Sequence, residues 1–332
     1  MHIGLALPQY DYAQPGPDPL SWATIADYAT LAETVGIDSI WLSDHLFLDV
    51  GKYGGPPVRE GAFEPVVSLA ALARVTESIR LGTLVLCEAL RPASLTAKAL
   101  ASLQGISGGR LDVGVGAGWY EPDYEAIGMQ MPSPGERMSR LSEALQVVRG
   151  ALAGEELTFD GEYHQARGAI VDPPADPVPR VFAGGKGDRL LSIVSEHADG
   201  WNTCWVWTPE GYRQRLDVLE RACERVGRDP ATVWRTLGLY ALVGESRADL
   251  ERRFERMRER MPPGTLDTSL DEWRPGRLVG TVDEVRAQAR AWRDLGVETL
   301  ILGLGSVPFA VSAPDDVELA VAALTGIDEA AS

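Results

Sequence analysis

Eight short apolar runs, each followed by a stretch with helical patterning, recur along the chain, most of them 20–50 residues apart. The runs are Ile3–Leu7, Asp38–Leu42, Arg80–Leu86, Arg110–Val115, Arg180–Ala183, Gly200–Asn202, Val233–Val243 and Thr299–Leu302. Helices are predicted between Ser21 as N-cap and Gly36 as C-cap, and over Pro65–Thr76, Ser94–Ile106, Glu136–Leu152, Asp188–Glu196, Pro209–Val226, Arg247–Met261 and Val282–Leu295. Strand–helix alternation of this extent closes into a parallel (β/α)8 barrel. A doubly wound sheet is the rival, but it calls for a Gly-x-Gly-x-x-Gly after the first strand, and none is there. The expected organisation is one barrel domain over residues 1–332, with insertions near 46–64, 153–178 and 262–279. Inside the second insertion, Thr158–Tyr163 reads as a small β excursion around an Asp-Gly turn.

Function in such a fold gathers at the C-terminal ends of the strands. The stretch 107–119 runs from a turn through Leu111, Val113 and Val115 into Gly116, Ala117, Gly118 and Trp119. Glycine at Gly114 and Gly116 marks a bulge or the close approach of another body, and Gly116–Gly118 leave room for a ligand. The second run ends in Ser43-Asp44-His45. His45 is the candidate acid or base, with Asp44 able to orient it or accept a hydrogen bond. Gly184-Gly185-Lys186 follows the fifth run and opens a helix, where bare amides and a cation favour phosphate. His2, His164 and His197 read as structural or exposed. Tyr10, Trp119, Trp201, Trp205, Trp207 and Trp273 are candidate walls of a substrate pocket. A glycosidase working with Asp44 and Glu88 is the second enzyme class open to these residues.

The chain has 48 acidic and 31 basic residues among 332, a net charge of −17, so nucleic acid and anionic membranes are poor partners. Cys87, Cys204 and Cys223 form neither a metal pattern nor a disulfide framework, and no metal site is expected. The first residues lack a signal peptide's basic region and apolar core, and no apolar run reaches the ~20 residues of a membrane span. A small-molecule enzyme of the cytoplasm is the expectation.

Taken in order, Gly36–Trp41 with Asp44-His45, Ile79–Val85, Arg91-Pro92, Ser107–Leu111, Gly116–Trp119, Arg137 with Glu143–Leu145, Gly184–Lys186 and Ala198–Asn202 resemble the bacterial luciferase-like monooxygenase superfamily, in particular its branch dependent on the deazaflavin coenzyme F420. The resemblance implies a (β/α)8 barrel with the coenzyme ring at its mouth, and a non-proline cis peptide at Leu84–Val85 or one bond beyond. It implies coenzyme contacts at Asp44, Leu84, Val85, Cys87, Gly116, Ala117, Gly118, Ala183, Gly184, Gly185 and Lys186, and catalytic roles for His45 and Asp44. Tyr10, Trp119, Trp201 and Trp205 would border the substrate. Cys87 stands where relatives often carry a small hydroxyl residue, and Trp119 and Tyr120 replace polar residues that act as acids in some members. The implied activity is hydride transfer between F420 and a small organic substrate, in a homodimer. An FMN-dependent monooxygenase using oxygen and a non-catalytic flavin-binding protein are the alternatives.

Overall fold

The computed structural model describes residues 1–13, 19–154 and 156–327. Eight strands, β1 (His2–Ala6), β2 (Ser39–Leu42), β3 (Arg80–Thr83), β4 (Leu111–Gly116), β5 (Arg180–Gly184), β6 (Gly200–Trp205), β7 (Trp234–Gly244) and β8 (Thr299–Gly303), pair in parallel. Pairing follows chain order throughout. The ring closes where Ile3 of β1 sits opposite Leu300 of β8, and is continuous across Val113 of β4 and Val181 of β5. The fold is the (β/α)8 barrel the alternation calls for.

The outer helices are α1 (Trp22–Val35), α2 (Pro65–Val75), α3 (Ala93–Ser107), α4 (Pro134–Leu152), α5 (Asp188–His197), α6 (Pro209–Val226), α7 (Val282–Asp294) and α8 (Pro314–Leu324). Local sequence sets their ends. The Ser21 hydroxyl accepts the Thr24 N–H to start α1, and Gly36, at φ 90°, takes the left-handed turn that ends it. Proline occupies the first turn of α2, α4, α6 and α8, where its missing N–H costs nothing. The helix Arg247–Arg260 is added between β7 and α7. The short helix Glu121–Ala126 and α8 are not evident from sequence patterning.

Large aromatics fill the barrel. Trp41, Phe182 and Trp234 meet edge-on or tilted, with ring centres 5.4–6.4 Å apart. Glycines in the neighbouring strands make this room. A Cβ on Gly82 would lie 2.1 Å from Trp41, and one on Gly114 would lie 2.4 Å from Phe182. The body that approaches Gly114 is therefore a core ring and not a ligand.

The third run, read from sequence as one strand to Leu86, is broken. A cis peptide joins Leu84 to Val85, and pairing with β4 resumes at Leu86 and Cys87, opposite Val115 and Gly116. A second non-proline cis bond, Cys204–Trp205, lies at the end of β6. The segments near 46–64, 153–178 and 262–279 add further elements between the barrel strands. They carry a hairpin of Phe47–Asp49 with Arg59–Gly61, another of Leu157–Asp160 with Gln165–Ala169, and a short helix and strand, Leu270–Trp273 and Leu278–Thr281. Among the described residues no helix is long and apolar enough to cross a membrane.

Candidate functional site

A cavity of about 900 Å³ opens at the C-terminal ends of the strands. Its back wall is the Leu84–Val85 bond and Cys87. Gly116, Ala117 and Gly118 from β4 and Gly184, Gly185 and Lys186 from β5 form one side. Asp44, His45, Trp119 and Trp205 line it as well, Trp119 being 46% exposed.

Backbone space is the main feature of the glycine side. A Cβ on Gly116 would lie 2.6 Å from the Val85 side chain, and one on Gly184 would lie 2.9 Å from it. Val85 thus seats itself between two bare backbones. Beyond it, Gly185 and Gly187 lead into the first turn of α5, and Gly187 caps that helix without a side-chain bond. Lys186 and Arg189 line this end of the cavity, with Arg137 across from them. Arg137 donates to the Gly118 carbonyl, while its buried Nε has no hydrogen-bond partner among the described residues.

His45 is held by several groups. Its Nδ1 lies 2.6 Å from Asp123 Oδ2, and because a carboxylate only accepts, Nδ1 carries the hydrogen. Asp123 Oδ1 accepts the Leu46 N–H at 3.0 Å. The rings of Trp119 and Tyr120 meet the imidazole edge-on at 5.4 and 5.7 Å. Behind it, the Gln9 amide clasps the Ser43 backbone through two bonds of 2.7 Å, fixing the end of β2.

Asp44 has another task than orienting His45. Its carboxylate accepts from Arg91 at 2.5 and 2.9 Å and from the Cys87 N–H at 2.9 Å. It ties the end of β2 to the bulge that backs the cavity. Burial works against the charge on Arg91, but its bonds to Asp44 and Glu64 outweigh this and raise its pKa. Burial pushes the Cys87 thiol up to about 11 and the Cys204 thiol to about 12, so both are neutral at physiological pH.

Five expected contacts lie outside the cavity. Ala183 is fully buried in the sheet between Val115 and Trp201. Trp201 is fully buried, stacks on Tyr212, and donates from Nε1 to the Gly185 carbonyl at 2.8 Å, bracing the glycine loop from behind. Tyr10 is fully buried with its hydroxyl 2.5 Å from Ser43 Oγ. Trp207 packs on Tyr212, and Trp273 packs on Phe254 and Tyr240. These rings support walls that other residues form.

The outer end of the cavity is aromatic. Trp205 stacks on Tyr240 and meets Phe309 edge-on, and the first insertion brings Tyr53 and Lys52 to the rim. The Lys52 ammonium lies 4.0 Å from the centre of the Trp119 ring. Sequence patterning singles out none of Asp123, Gln9, Lys52, Tyr53 and Phe309, and Arg91 only as part of the family resemblance. The one local signal is Glu121-Pro122-Asp123, an acidic, proline-bearing helix start.

Comparison with known proteins matches residues 1–299 to the model of the luciferase-like monooxygenase family. A 5,10-methylenetetrahydromethanopterin reductase of Methanolobus tindarius is 32% identical over 209 residues, 63% of this chain and 58% of the relative. An F420-dependent glucose-6-phosphate dehydrogenase of Nakamurella multipartita is 33% identical over 209 residues, 61% of this chain and 59% of the relative. The chain thus spans somewhat under three fifths of the length of these curated relatives. In structure, an F420-dependent secondary alcohol dehydrogenase in complex with an F420-acetone adduct superposes with a TM-score of 0.77 at 19% identity, covering 97% of this chain and 98% of that one, which shows a shared fold. On the family match, which extends over the first seven strands and reaches the first residue of β8, this chain belongs to the luciferase-like monooxygenase family.

Proposed function

We propose that this protein is an oxidoreductase that uses the deazaflavin coenzyme F420 to move a hydride between the coenzyme and a small organic substrate. One observation carries the reading. A single cavity joins the bare backbone around Val85, the cationic start of α5 and the His45–Asp123 pair. The name of one curated relative, an F420-dependent glucose-6-phosphate dehydrogenase, supports the choice of F420.

The residues present fit such a group. Gly116–Gly118 and Gly184–Gly185 offer backbone without side chains to a flat ring and its stem. The amides at the start of α5, Lys186 and Arg189 suit a phosphate, and the orphaned Nε of Arg137 adds a donor in the same wall. When bound, the reduced deazaflavin supplies a hydride. Val85 would back its ring, and Asp44, bonded to Arg91 and the Cys87 N–H, holds the bulge that carries Val85. His45 has Nε2 left for proton exchange with a substrate oxygen, because Nδ1 is committed to Asp123. Trp119, Trp205, Phe309 and Tyr53 exclude water from the outer end.

The same reading includes a homodimer through the outer faces of α2 and α3. It places the protein in the cytoplasm, in keeping with three unpaired cysteines, and gives it no nucleic-acid partner, in keeping with a net charge of −17. Titration of the apo-protein with F420 and with FMN tests the coenzyme. F420 is expected to bind more tightly, and Lys186→Ala to weaken that binding about tenfold at low salt, the gap narrowing as salt rises. Tighter FMN binding with oxygen-consuming turnover would replace this reading with a monooxygenase. Coenzyme binding with no turnover in a screen of alcohols and carbonyls would leave a binding protein.

A further inference from the structure

In a chain of net charge −17, the cavity at the barrel mouth has cations to spare. Its three carboxylates are each matched: Asp44 by Arg91 at 2.5 Å, Asp123 by His45 at 2.6 Å and Asp188 by Arg215 at 2.5 Å. Lys52, Arg137, Lys186 and Arg189 line the same cavity and have no carboxylate partner among the described residues. The last three stand near the starts of α4 and α5, where a coenzyme phosphate has its donors. Lys52 belongs to the first insertion, and no coenzyme contact accounts for it.

Lys52 and its neighbour Tyr53 sit in a turn that is held on several sides. The Asp49 carboxylate caps the turn Val50–Tyr53 by accepting the Gly51 N–H at 2.8 Å, and the Asp49 N–H donates to Tyr120 Oη at 3.0 Å. The third insertion packs against its end, so closely that a Cβ on Gly54 would lie 2.8 Å from the Gly264 carbonyl oxygen. Lys52 Nζ lies 4.0 Å from the centre of the Trp119 ring and 5.4 Å from that of Tyr120. The same two rings meet His45 at 5.4 and 5.7 Å. Ammonium and imidazole therefore share one aromatic corner of the cavity. Tyr53 also lines the cavity, and its hydroxyl makes no hydrogen bond to the described residues. That hydroxyl is not among the sealed polar atoms left without a partner, so it is accessible to a ligand oxygen. Burial raises the Tyr53 phenol above its ordinary pKa, which keeps it a neutral donor at physiological pH.

One ammonium beside one neutral hydroxyl matches a monoanion, with a carboxylate oxygen on each donor. A phosphate ester, with its higher charge and third acceptor oxygen, asks for more than a single cation. We propose that the substrate is a small hydroxy- or oxo-carboxylate, its carboxylate held by Lys52 and Tyr53 and its reacting oxygen at His45 Nε2. The placing of the reacting oxygen rests on the oxidoreductase reading above; the carboxylate subsite does not. The test is calorimetric titration of the full chain at low salt with sodium 4-hydroxypentanoate, 2-pentanol and monobutyl phosphate, first without coenzyme and then with F420 present. 4-Hydroxypentanoate is expected to bind at least tenfold more tightly than the neutral 2-pentanol. Lys52→Gln, at an exposed position, closes that gap, Lys52→Arg keeps it, and Tyr53→Phe narrows it about threefold. The proposal is overturned by 2-pentanol binding as tightly as the carboxylate, by a carboxylate preference that survives Lys52→Gln, or by monobutyl phosphate proving the tighter ligand with the same dependence on Lys52. Failure of F420 to bind, with Lys52-dependent carboxylate binding intact in the coenzyme-free chain, would overturn the coenzyme and support the subsite.

Discussion

Both oxygens of Asp123 are engaged, one with His45 Nδ1 and one with the Leu46 N–H, so the imidazole is fixed in tautomer as well as in place. A neutral ring held this way presents Nε2 as its acceptor. Asp123→Asn keeps the shape but offers the ring an amide, which is free to donate to Nδ1 and so drives the hydrogen onto Nε2. Turnover in Asp123→Asn is expected to fall about 10²–10³-fold, as in His45→Ala, while coenzyme affinity changes by no more than about threefold. Steady-state kinetics with coenzyme titration separates the two effects. A large loss of coenzyme affinity with intact turnover would move the pair from proton transfer to coenzyme binding. The neutral thiols of Cys87 and Cys204 leave no competing nucleophile among the cavity cysteines.

At the scale of elements, one carboxylate brackets the approach to the cavity's back wall. Glu33, near the end of α1, accepts the N–H groups of Glu77, Ser78 and Ile79 and the Ser78 hydroxyl at 2.6–3.1 Å, just before β3 begins. Burial works against its charge, but these donors outweigh it and hold the carboxyl at about 2 instead of an ordinary 4.5. A depressed pKa gives stability that is fully present above the unfolded value and is lost as pH falls toward the folded one. Glu33→Gln is expected to cost about 1–2 kcal/mol at pH 7, after allowance for solvent screening, and progressively less between about pH 4.5 and 2. Urea unfolding at pH 7 and near pH 3 checks it. A penalty that does not shrink in acid would place the effect in packing. Local rules made much of this architecture legible. Ser21 and Gly36 bound α1 through neighbours a few residues away, and each strand shows as an apolar run. The break at Leu84–Val85 was not legible from hydrophobic pattern, because Arg80–Leu86 is apolar throughout its latter half, and only the family resemblance implied it. Nor was the partner of His45. Asp44 is adjacent in sequence, yet Asp123, 78 positions on, takes the role, because the short helix after β4 meets the segment that follows β2. Trp201 and Tyr10 read as pocket walls because aromatic type does not say which side of a strand end a ring faces.

For the molecule as a whole, the distribution of carboxylates marks the surface that a second copy would cover. The chain carries 48 acidic residues among 332, yet α2 and α3 have none over their 11 and 15 residues. Their outward side chains include Val67, Val75, Leu95 and Ile106, exposed by 71, 46, 59 and 46%, with the small Ala71, Ala99 and Ser102 between them. Exposed apolar residues clustered on adjacent helices mark an interaction surface. Elsewhere a charge of −17 on each copy opposes association, so the carboxylate-free face is the one on which two copies meet with least repulsion. A two-fold interface uses each residue twice, so one substitution acts at two places. Leu95→Glu would set a buried charge on both sides of that interface, without touching the barrel core. The wild-type chain is expected to sediment as a dimer of twice 35.9 kDa at micromolar concentration, and Leu95→Glu as a monomer with an unchanged far-ultraviolet spectrum. A wild-type monomer would overturn the assignment, and a dimer that survives Leu95→Glu would move the contact to another face.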